Sequence, residues 1–212
     1  MLVQFIVLYL FTGHALFGAV LPFVIMLSIG TLAHMAFLAF VSPNLAEHRA
    51  SFYPDTKPWD KVLLSLYFLN TLIVGPMVIG IDITYYRWHQ PSVIFQILAI
   101  PLYLFALFLI LWSMRSNPYF EGTARIQKER HQQVIIDGPY RIVRHPGYLG
   151  MIIGTLSSPI IARSTLALLV SMLSVAIVIM RTDLEDKMLE EELEGYKDYR
   201  RLTRYRLFPR VW

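Results

Sequence analysis

Residues 93–114 read VIFQILAIPLYLFALFLILWSM, twenty-two positions without a charge, closed by Arg115. A bilayer core about 30 Å thick is crossed by roughly 20 helical residues. This run therefore fixes the fold class as a membrane-spanning α-helical protein. Working outward, a second apolar run extends from Val62 to Ile81, with Pro76 expected to kink it. The stretch from Met1 to Val41 is twice the length of one span and predicts two, meeting around Gly18 to Pro22. It opens Met-Leu-Val-Gln-Phe and carries no charge before Glu47, so it lacks the basic n-region of a signal peptide. On the other side, Tyr148–Ala162 and Thr165–Met180 are separated only by Arg163-Ser164 and predict a helical hairpin. The expectation is an all-α, polytopic bundle of six spans, or five if the first segment lies flat or tilts strongly.

The composition agrees. Of 212 residues 56% are hydrophobic and only 16% charged, with a mean hydropathy of +0.51. Soluble domains carry about 45–50% apolar and about 25% charged residues, so a soluble globular chain, disorder and a coiled coil are excluded. The absence of cysteine excludes a disulfide framework, a thiolate nucleophile and any Cys-based metal site. Histidines at 14, 34, 48, 89, 131 and 145 show no metal-binding spacing, and no metal is expected. With neither GxGxxG nor GxxxxGK[ST], a Rossmann or P-loop nucleotide domain is not expected either.

Segments 42–61, 115–146 and 181–212 hold 17 of the 19 Lys and Arg; only Arg87 and Arg163 fall on the opposite side. The positive-inside rule places those segments in the cytoplasm. The net charge of +4 then reflects topology and anionic headgroups, with membrane lipids rather than nucleic acid as partners.

Chemistry has to come from the polar segments. Residues 125–150 read RIQKERHQQVIIDGPYRIVRHPGYLG. Asp137-Gly138-Pro139 is a turn signal, and Pro146 lets a span begin just after His145. Tyr140, His145 and Tyr148 are thereby gathered at the membrane surface, with Gly147 permitting close approach. The plain alternative is a basic interfacial loop with an aromatic belt; Tyr, His, Pro, Gly and Tyr within nine residues argue for more. Arg181 and Glu185 share a helix face. They could be a simple ion pair, yet charge at the bilayer boundary is costly and tends to be functional. Leu184, Met188, Leu189, Leu193, Tyr196 and Tyr199 form a stripe read as an interfacial or docking helix rather than a binding box, and Glu190-Glu191-Glu192 as solvated. Gly150 and Gly154 are assigned to helix packing; His14, His34 and Asn70 to hydrogen bonding inside the bundle.

The segment Gly138-Pro-Tyr140-Arg-Ile-Val-Arg144-His145-Pro146-Gly-Tyr148-Leu-Gly150, followed about thirty residues later by Arg181-x-x-x-Glu185-Asp186, resembles the isoprenylcysteine carboxyl methyltransferase family. The wider group includes phospholipid N-methyltransferases. The resemblance covers residues 117–212, the implied methyltransferase core. Residues 1–116 match only as spans and are the expected acceptor-side region. It implies an integral-membrane enzyme that uses S-adenosylmethionine, yields S-adenosylhomocysteine, and has no Rossmann domain. By that resemblance Gln132, Gln133, Val134 and Ile135 line the cofactor through their backbone. Tyr140, His145, Pro146, Gly147 and Tyr148 surround its adenosine and methionine parts, Glu185 binds its polar end, and Arg181 faces the acceptor as the catalytic and substrate-binding residue. Two positions depart from the pattern: the acidic pair is Glu-Asp rather than Glu-Glu, and Gln132, beside His131, stands where eukaryotic members often have His.

The residue types suit that chemistry independently. Tyrosine faces attract a sulfonium, and a carboxylate suits hydroxyls or an ammonium. Methyl transfer is an in-line displacement that mainly needs alignment. A carboxylate acceptor is already ionised and could be oriented bidentately by Arg181. A thiol or amine would need a base, for which His145 is the evident candidate. The acceptor is expected to be lipidic: a prenylated cysteine carboxylate, as in the family's namesake, or alternatively a phospholipid amine or a small thiol. The competing class is a non-enzymatic transporter or scaffold component. Transporters more often carry mid-span charges, and here Asp82 stands only at a span's end.

Overall fold

In hydrocarbon every backbone N–H and C=O must be satisfied within its own segment, and the apolar runs accordingly fold as helices. The computed structural model describes all residues except 1, 13–17, 19, 50–52 and 87–89, and only the backbone of 47–49. His14 and Arg87 thus lie outside the described residues. The described chain is helical without strands: α1 (Leu2–Thr12), α2 (Leu21–Ala36, extended by a π turn to Val41), α3 (Pro43–Arg49), α4 (Pro58–Leu69), α5 (Gly75–Ile81), α6 (Val93–Ser116), α7 (Pro146–Ile161), α8 (Thr165–Glu192) and α9 (Tyr196–Leu202). Four helical stretches are long and apolar enough to cross a membrane: Leu21–Val41, Pro58–Tyr86, Val93–Ser116 and Thr165–Glu192. Leu2–Thr12 and Pro146–Ile161 are shorter apolar helices.

Pro76 leaves its mark as a widened turn. It has no N–H to give, and the helix passes from α4 to α5 through a π turn over Asn70–Val74, with Gly75 N–H bonding to Asn70 O. Asn70 is the interior hydrogen bonder that its position predicts: Nδ2 donates to Ser174 Oγ at 2.7 Å and to Val170 O at 3.2 Å on α8.

The hairpin between α7 and α8 is real, but α8 does not stop at Met180. No Gly or Pro interrupts 181–192, and the first break is Gly195, at φ 82°. The drop in hydropathy at Arg181 marks where the helix changes surroundings, not where it ends. At the opposite end, buried Asp82 accepts from Ser164 Oγ at 2.6 Å and Leu166 N at 3.3 Å, while Ser164 Oγ accepts from Ala167 N at 3.1 Å. Asp82 thereby caps α8, where a carboxylate also meets the favourable end of the helix dipole.

Gly150 and Gly154 do the packing expected of them. A Cβ on Gly150 would lie 2.7 Å from Ile110 Cγ1 and 2.9 Å from Ala106 O, so α6 and α7 touch backbone to backbone there. At Gly154 the nearest atom, Ala106 Cβ, would be an ordinary 3.6 Å away. Gly150→Ala is therefore expected to cost about 1–3 kcal/mol by forcing the helices apart, and Gly154→Ala to cost little. Thermal unfolding in detergent checks the pair.

The three basic segments converge at one end of the bundle. Lys57 Nζ pairs with Glu192 at 2.7 Å, Lys57 N–H bonds to Ala124 O at 3.1 Å, and the N–H groups of Arg144 and His145 bond to Tyr205 O and Arg206 O at 2.9 Å each. The C-terminal tail is thus stitched to the loop before α7. Arg163 sits at the other end, its Nε on Pro91 O at 2.9 Å.

Candidate active site

Gly138 takes φ 60°, and a Cβ there would collide with Ser116 Oγ and come within 3.1 Å of Trp112 Nε1. Only glycine lets the loop press this closely on α6. The following turn, Gly138–Arg141, buries Tyr140. Its hydroxyl accepts from Asn117 Nδ2 at 3.2 Å, and its carbonyl accepts from Tyr199 Oη at 2.8 Å and Thr203 Oγ1 at 3.2 Å. Burial pushes the Tyr140 phenol above its ordinary pKa, so it stays neutral. Pro146 then opens α7, and Gly147 lies against the Phe120 ring, 2.5 Å from where its Cβ would stand. One position on, Tyr148 donates its hydroxyl to Glu185 Oε2 on α8.

Asp186, fully buried, is the hub of this end. It takes Arg144 bidentately (Nε to Oδ1 2.7 Å, Nη2 to Oδ2 2.8 Å), Arg206 Nε at 2.8 Å, Tyr196 Oη at 2.8 Å, and faces His145 Nε2 at 3.1 Å. Burial, then the Asp186 charge, push the Tyr196 phenol upward, so it remains a donor. Arg144 also donates to Thr203 O and Arg204 O at 3.0 and 2.7 Å. One carboxylate thus ties the Arg-His-Pro loop, α8, α9 and the tail together.

Arg181, also buried, donates Nε to Asp60 Oδ1 at 2.7 Å and Nη2 to Gly122 O at 3.2 Å, with its guanidinium 5.2 Å from the Tyr148 ring centroid. Asp60 Oδ2 accepts from Ala124 N at 2.8 Å. Two of the three guanidinium nitrogens are engaged, and only Nη1 makes no bond to a described residue. Asp60 and Gly122 use two of the five guanidinium N–H groups, leaving those on Nη1 and the second on Nη2.

Between these clusters lies a cavity of about 310 Å³, within the range of ligand pockets. Gln132, Gln133, Val134 and Ile135 line it, as do Tyr140, His145, Gly147, Tyr148, Arg181 and Glu185. Pro146 does not, because its ring is spent on starting α7 and is buried there. Gln132, not the exposed His131, takes the wall position, and its Oε1 accepts from Gln127 N at 2.8 Å. His145 reaches the wall while its ring is held by Asp186. The aromatic stripe needs a correction: Leu189, Leu193, Tyr196 and Tyr199 close one side of the cavity, packing on Tyr140, Val134 and Ile135. Helical spacing identifies such a face but not what it meets.

Most charges on this wall are matched: Glu121 with Arg125 (2.9 Å), Arg144 with Asp186, Arg181 with Asp60. Glu185 is the exception, making no ion pair with a described residue and holding only the Tyr148 hydroxyl. A second cavity, about 470 Å³, opens among α2, α4, α5, α6, α7 and α8. His34, Tyr67, Phe68, Ile110 and Met151 line both cavities, which adjoin there. Asp60 was not singled out from the sequence; its signal is a carboxylate in the first turn of a helix opened by Pro58, beside a membrane span. Arg144, though within the motif, shows its role only once Asp186 is opposite it.

Residues 94–194 match the phospholipid methyltransferase family, which includes the isoprenylcysteine carboxyl methyltransferases. The match spans α6 to the end of α8 and contains the Arg-His-Pro loop, Arg181 and Glu185. No curated protein matches the chain significantly.

Proposed function

On the premise that residues 94–194 belong to this family of membrane methyltransferases, we propose that the chain transfers a methyl group from S-adenosylmethionine to a lipidic acceptor. The observation that carries this is Glu185, a carboxylate without an ion pair in a cavity lined by tyrosines. S-adenosylmethionine has one net positive charge, from a sulfonium, an ammonium and a carboxylate. The residues present fit it: Glu185 matches the net charge, Tyr140 and Tyr148 offer aromatic surface to a cation, and the wall from Gln132 to Ile135 adds backbone groups and apolar contact. His145 and Gly147 complete the cradle, with Pro146 fixing their backbone. When bound, the cofactor supplies an electrophilic methyl on sulfur. The protein's own part is to align donor and acceptor and exclude water.

The second cavity supports a lipidic acceptor. It is walled by spans and shares five lining residues with the first, so a hydrocarbon chain lodged there would hold its head beside the cofactor cavity. We read α1 and α7 as spans as well, giving six, with the shared basic end, the cofactor site and the C-terminus in the cytoplasm. Residues 1–116 then form the acceptor side and 117–212 the methyltransferase core. A carboxylate acceptor, as in the namesake, would meet Arg181 through the N–H groups of Nη1 and Nη2 that Asp60 and Gly122 leave free. A second reading has a phospholipid amine or a thiol as the acceptor, the family matched by residues 94–194 being that of phospholipid methyltransferases.

The test is methyl transfer from methyl-labelled S-adenosylmethionine by the purified protein in lipid vesicles. Label extracted with a lipid or prenylated acceptor is the expected result. Label transferred only to water-soluble acceptors without a hydrocarbon chain contradicts the lipid reading.

A further inference from the structure

Six tyrosines line the cavity that contains Glu185, and five of them meet a protein group able to take the hydroxyl proton. Tyr148 donates to Glu185, Tyr196 to Asp186, Tyr199 to Tyr140 O and Tyr119 to His131 O, while Tyr67 pairs with Thr155 Oγ1. Tyr140 is different: its hydroxyl accepts from Asn117 Nδ2 at 3.2 Å and donates to no described residue. The other end of the same amide fixes the sense of that bond. Asn117 Oδ1 accepts from the Tyr119 N–H at 2.8 Å, and a backbone N–H can only donate. The amide oxygen therefore faces Tyr119 and the nitrogen faces Tyr140. An amide nitrogen accepts no hydrogen bond, so the phenolic proton cannot turn back to Asn117. The ring is also held, packed on Val134, Ile135, Leu189 and Leu193. What results is a phenol only 7% exposed, with its O–H left to the cavity that Tyr140 and Asn117 both line. Burial, reinforced by the Glu185 charge, keeps it protonated against the pull of the Asn117 bond.

A neutral donor in the same cavity as a carboxylate without an ion pair suits a ligand end that carries both signs. An α-amino-acid end is such a group: its ammonium matches Glu185, and its carboxylate, on the same carbon, accepts from a hydroxyl. We propose that Tyr140 and Asn117 together select for the carboxylate at the methionine end of the cofactor. Tyr140 donates to that carboxylate, and Asn117 is the positioning residue that keeps the hydroxyl a donor toward the cavity. The inference rests on the methyl-transfer reading above and deepens it, because it divides the two signs of the cofactor's polar end between two named partners. Asn117 ends α6, whereas Tyr140 and Glu185 come from the Arg-His-Pro loop and α8. The selecting group is thus assembled only when these three segments meet.

The experiment is calorimetry on the full chain in nanodiscs with two ligands, S-adenosylmethionine and its decarboxylated form, which keeps the sulfonium and the ammonium. Tyr140→Phe removes the hydroxyl and keeps the ring. Asn117→Asp still accepts from Tyr119 N–H but offers the Tyr140 hydroxyl an acceptor, turning it from the cavity. Each variant is expected to bind S-adenosylmethionine about 10- to 100-fold more weakly, the loss of one charge-assisted hydrogen bond. Affinity for the decarboxylated form should stay within about two-fold in Tyr140→Phe and should not fall in Asn117→Asp. Equal losses on both ligands overturn the proposal in favour of a structural role for the pair. Full affinity for S-adenosylmethionine in Tyr140→Phe overturns it while the methyltransferase reading stands. A selective loss in Tyr140→Phe with none in Asn117→Asp overturns the positioning role of Asn117. Failure of the unaltered protein to bind S-adenosylmethionine removes both the proposal and the reading beneath it.

Discussion

Asp186→Ala is expected to destabilise the protein by about 3–5 kcal/mol, because it strands the buried Arg144 cation. Arg144 would lose both of its charge-assisted bonds, Arg206 one, and Tyr196 its acceptor. Arg144 cannot turn to water without unstitching the tail, since it is also held by the carbonyls of Thr203 and Arg204, whereas Arg206 keeps Asp183 at 3.0 Å. The exposed pair Arg141–Asp137 is the control: both side chains are more than 70% exposed, and Arg141→Ala should change stability by no more than about 0.5 kcal/mol. Thermal unfolding of the purified variants in detergent reads both. A small effect at Asp186 would mean that the network is adaptable rather than a fixed clamp.

The Arg181–Asp60 pair allows scaffold to be separated from chemistry. Removing either partner alone leaves an unpaired buried charge, and each single variant, Asp60→Ala or Arg181→Ala, should lose about 3–5 kcal/mol. Replacing both with apolar residues of similar size, Asp60→Leu with Arg181→Met, should recover most of that stability. Methyl transfer should remain lost in all three, because the double variant restores packing but not the guanidinium beside Tyr148. A double variant that regains turnover along with stability would show that the pair only holds α4 against α8.

Four of the six expected spans were legible as long apolar helices, because membrane insertion imposes a one-dimensional rule of length and hydropathy that a single sequence displays. The Arg-His-Pro loop and the Arg181-to-Glu185 spacing were legible because local backbone chemistry concentrates functional groups within a few residues. What escaped was partnership. Asp60 meets Arg181 across 121 positions and Ala124 across 64, and nothing local in Pro58-Trp-Asp60 announces either. The stripe ending at Tyr199 revealed its helical face, yet whether that face meets lipid, solvent or a cavity depends on how Gly195 turns the chain. Pro146 shows the converse, a motif residue whose contribution is to the backbone and not to the wall. Asp186, one residue from Glu185, falls on a different side of the same helix turn and so becomes a structural clamp, while its neighbour faces the cavity.

The most direct test of the account is a calorimetric titration of S-adenosylmethionine into the purified chain, alongside Glu185→Gln. Micromolar binding is expected for the intact protein. In the variant it should be weaker by about 10- to 100-fold, the loss expected for one charge-assisted contact, with an unchanged melting temperature. Binding that survives in Glu185→Gln, or a folded intact protein that takes up no cofactor, would contradict the assignment of the cavity.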